Sequence, residues 1–166
     1  MFSINGNFIS YEVSNFKSKF TGMKLLIYIL LLFISHNVIA QSNKELVSKA
    51  CLNYIEGFYE GDTIKLKESL KPSLHKFGFW KDKVSGKYLP DGYMTFQQAI
   101  DYAIKVAANK KFAKPGSPKK VEILDIQNCI ASAKVTTWWG VDYILLSRQE
   151  NKWMIEQVLW EGPLQN

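Results

Sequence analysis

The sequence predicts an α+β domain in which helices come first and a curved antiparallel sheet comes last. Three observations carry that prediction. The final forty residues hold three short runs rich in β-branched and aromatic residues, 130–139, 141–147 and 152–160. The first half carries apolar residues at helical spacing. Glu150-Asn151 separates the last two runs, where a two-residue hairpin turn belongs and where Asn tolerates the left-handed conformation. Helices followed by a strand meander segregate into the two layers of an α+β fold.

The N-terminus reads as an export signal and not as part of the fold. Lys24 precedes an unbroken apolar run, Leu25 to Ile34, followed by polar Ser35-His36-Asn37 and the small-residue site Val38-Ile39-Ala40. A charged stub, a short apolar core and a small residue before the cut form a secretory signal. The run is about half of the roughly twenty apolar residues that a membrane span needs. Cleavage after Ala40 and export to the periplasm or the exterior are therefore expected, with no membrane association afterwards. No cysteine stands at the cut to carry a lipid anchor. Residues 1–22 are polar and aromatic without period and read as a non-native upstream extension, with Met23 as the start and 23–40 as the signal peptide. The alternative is a genuine extension ahead of the signal.

The remaining residues, 41–166, are enough for one core and too few for two domains. They carry 18 basic and 14 acidic residues, a net +4 that is almost wholly lysine, with Arg148 the one arginine. Nucleic-acid binders concentrate arginine and lysine on one face; no nucleic-acid partner is expected here. Cys51 and Cys129 are either bridged, which an exported protein permits and which would contribute roughly 4 kcal/mol for so long a loop, or two buried thiols acting as small apolar residues.

Ser42 with Glu45 forms a capping box and opens a helix whose Leu46, Val47, Ala50, Tyr54, Ile55, Phe58 and Tyr59 keep helical period, with Gly61 as its stop. Asp62 caps a second, short helix carrying Ile64, Leu66 and Leu70, ended by Pro72. Phe77 to Tyr93 reads as paired extended segments, 77–80 and 87–90, turning at Ser85-Gly86. Thr95 with Gln98 caps a third helix with a stripe of Phe96, Ala99, Ile100, Ala103, Ile104 and Ala107. Residues 110–120, with Pro115, Gly116 and Pro118, form a loop before strands that run from Val121 to Trp160.

Pairing Gln149 with Lys152 across the last turn sets the faces of that hairpin by parity. Asp142, Ile144, Leu146, Arg148, Trp153, Ile155, Gln157 and Leu159 then share one face, and Val141, Tyr143, Leu145, Ser147, Met154, Glu156, Val158 and Trp160 the other. Both faces are largely apolar, unlike a sheet with one watery side. One covers the helices; the other is expected to meet a second subunit in a homodimer.

The stretch from Ala50 to Asp62, Ala-Cys-Leu-Asn-Tyr-Ile-Glu-Gly-Phe-Tyr-Glu-Gly-Asp, with Ser73-Leu74-His75, resembles the opening of the putative lumazine-binding family. Ile130 to Val135, Val141 to Leu146 and Asn151 to Ile155 resemble its closing strands. The resemblance covers nearly all of residues 43–162. It implies the nuclear transport factor 2-like superfold, which also holds SnoaL-like proteins: a cone-shaped, strongly bent antiparallel sheet wrapped around three helices, with a pocket in the mouth and homodimers formed through the sheet. The motifs are structural rather than catalytic.

His75 is the one histidine left after signal removal, so no multi-histidine metal site exists, and no Gly-x-Ser-x-Gly elbow is present. It reads either as a general acid/base or ligand partner, or as a histidine bonding the carbonyls at the end of the second helix. Asp142 interrupts an apolar strand; it is either a pocket base with a raised pKa or a strand-start carboxylate that is solvated or paired. Five tryptophans with Tyr54, Phe58 and Tyr143 supply either flat walls for a ring ligand or core and dimer interface. Lys110, Lys111, Lys114, Lys119 and Lys120 attract an anion or simply solvate a loop.

Tyr54, Phe58, His75, Trp138 and Asp142 are expected to line one cavity, Tyr54 and Phe58 being four residues apart on one helix face. The leading function is an exported domain binding a small aromatic or apolar molecule without catalysis. The alternatives are a SnoaL-like isomerase or dehydratase using Asp142 and His75, and a dimerisation module with a filled core. No cofactor and no metal are implied.

Overall fold

A computed structural model describes residues 42–164. The signal peptide expected at 23–40 and the upstream extension expected at 1–22 lie outside the described residues. Helix α1 (Asn43–Glu60) starts at the expected capping box, Ser42 and Glu45 satisfying each other's backbone amides. It stops at Gly61, left-handed at φ 67°, whose amide donates to the Gly57 carbonyl. A Cβ on Gly61 would lie 2.6 Å from the Ala107 amide nitrogen, so the cap is also the point where α1 meets the third helix. Helix α2 (Thr63–Ser69) begins on Asp62, whose carboxylate accepts from the Ile64 and Lys65 amides. Helix α3 (Phe96–Ala108) opens on the Thr95–Gln98 box and buries Ala99, Ile100, Ala103 and Val106. Ile104, expected in that stripe, is exposed.

Six strands form one sheet: β1 (Leu70–Lys81), β2 (Tyr88–Met94), β3 (Lys120–Ile126), β4 (Ile130–Thr136), β5 (Val141–Gln149) and β6 (Lys152–Gly162), in the order β2-β1-β6-β5-β4-β3. The α+β class with a bent sheet over three helices holds, with one qualification. Four pairings are antiparallel, but β1 runs parallel to β6. Parallel neighbours need a long crossover, and here everything from β2 to β5 supplies it. α2 ends at Ser69 rather than at Pro72, and Leu70 already belongs to β1. Proline donates no ladder hydrogen bond, and Pro72 lies within the break in register between Leu70 and His75.

The last hairpin keeps the expected Gln149–Lys152 pairing, but its faces change part-way. Leu146 pairs with Ile155 while Leu145 pairs with Gln157, so Glu156 is an extra residue in β6. A bulge of one residue inverts the parity of everything beyond it. Val158 and Trp160 therefore join Asp142 and Ile144 on the inner face, and Gln157 and Leu159 join Tyr143 and Leu145 on the outer one. Burial follows: Val158 is buried, while Leu159, Tyr143 and Leu145 are exposed.

The core lies between α1 and the inner face of the sheet. Val47, Cys51, Tyr54, Ile55 and Phe58 of α1 meet Ala133, Val135, Ile144, Leu146, Ile155 and Val158. Each fully buried aliphatic side chain of this kind contributes about 1.5–3 kcal/mol. Both cysteines are free thiols, Cys51 buried as expected of an unbridged pair but Cys129 exposed, at the turn that precedes β4. Burial pushes the Cys51 thiol up to about 12.

Candidate functional site

Strand alternation in β1 decides the site. Leu74, Lys76 and Gly78 turn inward and are buried, while His75 and Phe79 turn outward and are exposed. A lysine is thereby carried into the core of the mouth, only 7% exposed. Its Nζ lies 2.8 Å from the Tyr54 hydroxyl on α1 and 3.4 Å from Asp142 Oδ2 on β5. Rings of Tyr54, Trp139 and Trp160 surround it at 5.5, 5.8 and 5.2 Å from their centroids. Contact with ring faces is a favourable setting for a desolvated cation.

Asp142 is fully buried, and its two oxygens have different partners. Oδ1 accepts from the Trp139 indole nitrogen at 2.8 Å. Oδ2 accepts a short hydrogen bond from the Tyr54 hydroxyl and faces Lys76. The tight turn between β4 and β5 holds Trp139: Thr137 and Gly140 bond each other's backbones, and the Thr137 hydroxyl donates to the Gly140 carbonyl. Tyr59 secures the same turn from α1, accepting from the Trp138 amide and donating to the Pro118 carbonyl. Burial, and then the Asp142 charge, hold the Tyr54 phenol well above its ordinary range, so it remains a donor. Burial draws the Lys76 ammonium below its ordinary value, with the nearby Asp142 charge pulling the other way.

Lys76 opens onto a cavity of about 250 Å³. Trp80, Trp138, Trp139 and Trp160 form much of its wall, Phe58 and Tyr102 come from the helices, and Asp91 and Met94 come from β2. Gly78 permits this wall: a Cβ there would lie 2.1 Å from the Trp160 carbonyl and 2.5 Å from its ring. A second cavity of about 440 Å³ shares Phe58, Tyr102 and Trp138 with the first and reaches Phe112, Lys111 and Lys114. Of the other loop lysines, Lys119 pairs with Glu56 and Lys120 with Glu122.

Four of the five residues expected to share a cavity are brought together, in two ranks. Phe58 and Trp138 line it directly, whereas Tyr54 and Asp142 lie behind Lys76 as its hydrogen-bonding support. His75 is not with them. It stacks on Tyr93 at 4.7 Å on the outer side of β1, so it and Asp142 do not face each other across the pocket. The reason is parity: inward Leu74 and Lys76 flank it. Lys76 is not among the expected residues, and Trp139 and Trp160 are expected only as two of the five tryptophans that supply either ligand walls or core. The signal for Lys76 was a lysine two residues from Leu74 and two from Gly78, visible once β1 is extended back to Leu70. Among the described residues, no group of three or more His, Cys, Asp or Glu side chains is placed to hold a metal ion, and no helix is long and apolar enough to cross a membrane.

A match to the family described as putative lumazine-binding spans residues 42–161, every element of the fold and the whole of this pocket. The chain belongs to the putative lumazine-binding family. Among solved structures, this family member is similar to an NTF-2-like protein of unknown function from Silicibacter pomeroyi, at 16% identity and a TM-score of 0.52 over 72% of this chain and 98% of that one. It is also similar to an NTF2-like protein of unknown function from Shewanella baltica, at 20% identity and a TM-score of 0.51 over 72% and 94%. At these identities the likeness is one of fold. No curated protein sequence matches the chain.

Proposed function

We propose that this domain binds a small flat ring compound in the cavity above Lys76. The supporting observation is the combination of tryptophan walls with one buried ammonium. The walls offer a ring apolar contact and stacking. Lys76 has three N–H donors, and Tyr54 and Asp142 occupy two, which leaves one for an acceptor on the edge of the ring. The lumazine named in the family description, a flat bicyclic ring with carbonyl acceptors, has this chemistry. Export after cleavage near Ala40 belongs to the same reading, and N-terminal sequencing of the mature protein should begin at Gln41. So does a homodimer formed through the exposed outer face of Tyr143, Leu145 and Leu159.

The test is a titration of lumazine, followed by quenching of the tryptophans that line the cavity. Saturable quenching is expected. Phe58→Ala should weaken binding by about 1–2 kcal/mol, the worth of the lost apolar contact. Lys76→Met should weaken it further, because the edge acceptor loses its donor. If neither lumazine nor any other flat heteroaromatic ring quenches the protein, the reading fails.

A further inference from the structure

We infer that Lys76 is a carbonyl-capturing amine: an aldehyde or ketone on a flat aromatic ligand condenses with its Nζ to form an imine. This rests on the cavity being a ring-binding site and goes further, naming the bond that the site can make. Three features of the geometry carry it.

First, the amine is both buried and reachable. Among the described residues no other lysine is buried, yet Lys76 lines an open cavity with room for an aromatic aldehyde. Second, three rings stand within 6 Å of Nζ, and the residue is almost wholly withdrawn from solvent. Withdrawal from water favours the neutral amine, which is the nucleophilic form. Third, a proton acceptor and a hydroxyl are already in place. Asp142 faces Nζ from β5 and Tyr54 from α1, and Asp91 of β2 is the remaining charged group on the cavity wall. Asp142 and Asp91 both favour the ammonium, while burial is the larger effect and opposes them.

The reaction is a balanced condensation. The ammonium first passes one proton to Asp142, and the freed Nζ lone pair adds to the carbonyl carbon, so that the C–N bond forms and the carbonyl π pair moves onto oxygen. A proton passes from nitrogen to that oxygen, with Asp142 the nearest carboxylate to carry it. A second proton leaves nitrogen by the same route, the C–O bond breaks, and oxygen departs as water. The products are the imine and one water; nothing is oxidised or reduced.

The experiment incubates the purified protein with naphthaldehyde and cyanoborohydride, which fixes any imine as a secondary amine, and maps the modified lysines by peptide mass spectrometry. Early modification of Lys76 should exceed that of any surface lysine by about tenfold or more, because the ring-binding cavity holds the aldehyde beside its amine. Naphthalenemethanol, which fits the same space and has no carbonyl, should quench the tryptophans and protect Lys76. Lys76→Arg should lose the adduct while circular dichroism stays unchanged; the wild-type map decides the matter even if that variant does not fold. Quenching by naphthalenemethanol with Lys76 left unmodified would overturn the capture and leave the ring-binding site standing. An absence of both quenching and modification would overturn both.

Discussion

Asp142→Ala tests the buried network most severely. The variant leaves Lys76 without a counter-ion and the Tyr54 hydroxyl and Trp139 indole without their acceptor. Lys76 can escape by losing its proton. Holding a lysine neutral at pH 7 costs at most about 4–5 kcal/mol, from an unfolded pKa of about 10.4 and about 1.4 kcal/mol per pH unit. Removing one partner of a buried pair costs about 3–5 kcal/mol in practice, and each orphaned donor adds about 1 kcal/mol. A loss of about 4 kcal/mol or more is expected, seen in urea as a fall of roughly 2 M in the midpoint at unchanged slope. The sign with pH follows from proton counting. The unfolded chain binds the lysine proton and the folded variant does not, so the variant's stability rises with pH, and at pH 9 the ceiling falls to about 2 kcal/mol. Asp142→Ala with Lys76→Met should recover a large part of the loss, because an apolar pair replaces the ion pair. A loss below about 1 kcal/mol that is the same at pH 7 and pH 9 would refute the coupling of these two groups.

Gly78→Ala places a Cβ against the Trp160 carbonyl and ring; it should cost about 1–3 kcal/mol in thermal or urea unfolding and weaken ring binding at the same time. Cys129 should react with a thiol reagent in the native protein, while Cys51, buried and with its thiol pushed up to about 12, should react only on unfolding; equal rates for the two would contradict the placement of Cys51 in α1. The protein should sediment at twice its mature mass and Leu159→Lys, exposed beside Tyr143 on the outer face, at the monomer mass; an unshifted dimer would place the interface elsewhere.

What was legible in the sequence was local. Ser42 with Glu45 and Thr95 with Gln98 announce their helices because a capping box is satisfied within three residues. Asp142 stood out because a carboxylate inside an apolar strand demands a partner. The partner itself was not legible. Lys76 reaches Asp142 only because β1 crosses to lie parallel beside β6, across some eighty residues of chain, and no local pattern encodes that pairing. His75 was misplaced by the same gap. With β1 begun at Phe77 its parity had no anchor, whereas a strand from Leu70 through buried Leu74 turns His75 out and Lys76 in. Trp160 went to the wrong face because strict alternation from the hairpin turn does not foresee the bulge at Glu156.

That bulge ties together two surfaces that otherwise have no contact. The extra residue turns Trp160 toward Lys76 and, by the same half-step, presents Leu159 to the exterior beside Tyr143. Deleting Glu156 would leave both in place, because Gln157 would then follow Ile155 in plain alternation, whereas closing the bulge with Glu156 retained would exchange them, putting Leu159 over the lysine and a tryptophan on the outer face. The bulge is thus a point at which the last strand can lose one residue while the lysine keeps its tryptophan and the outer face its leucine.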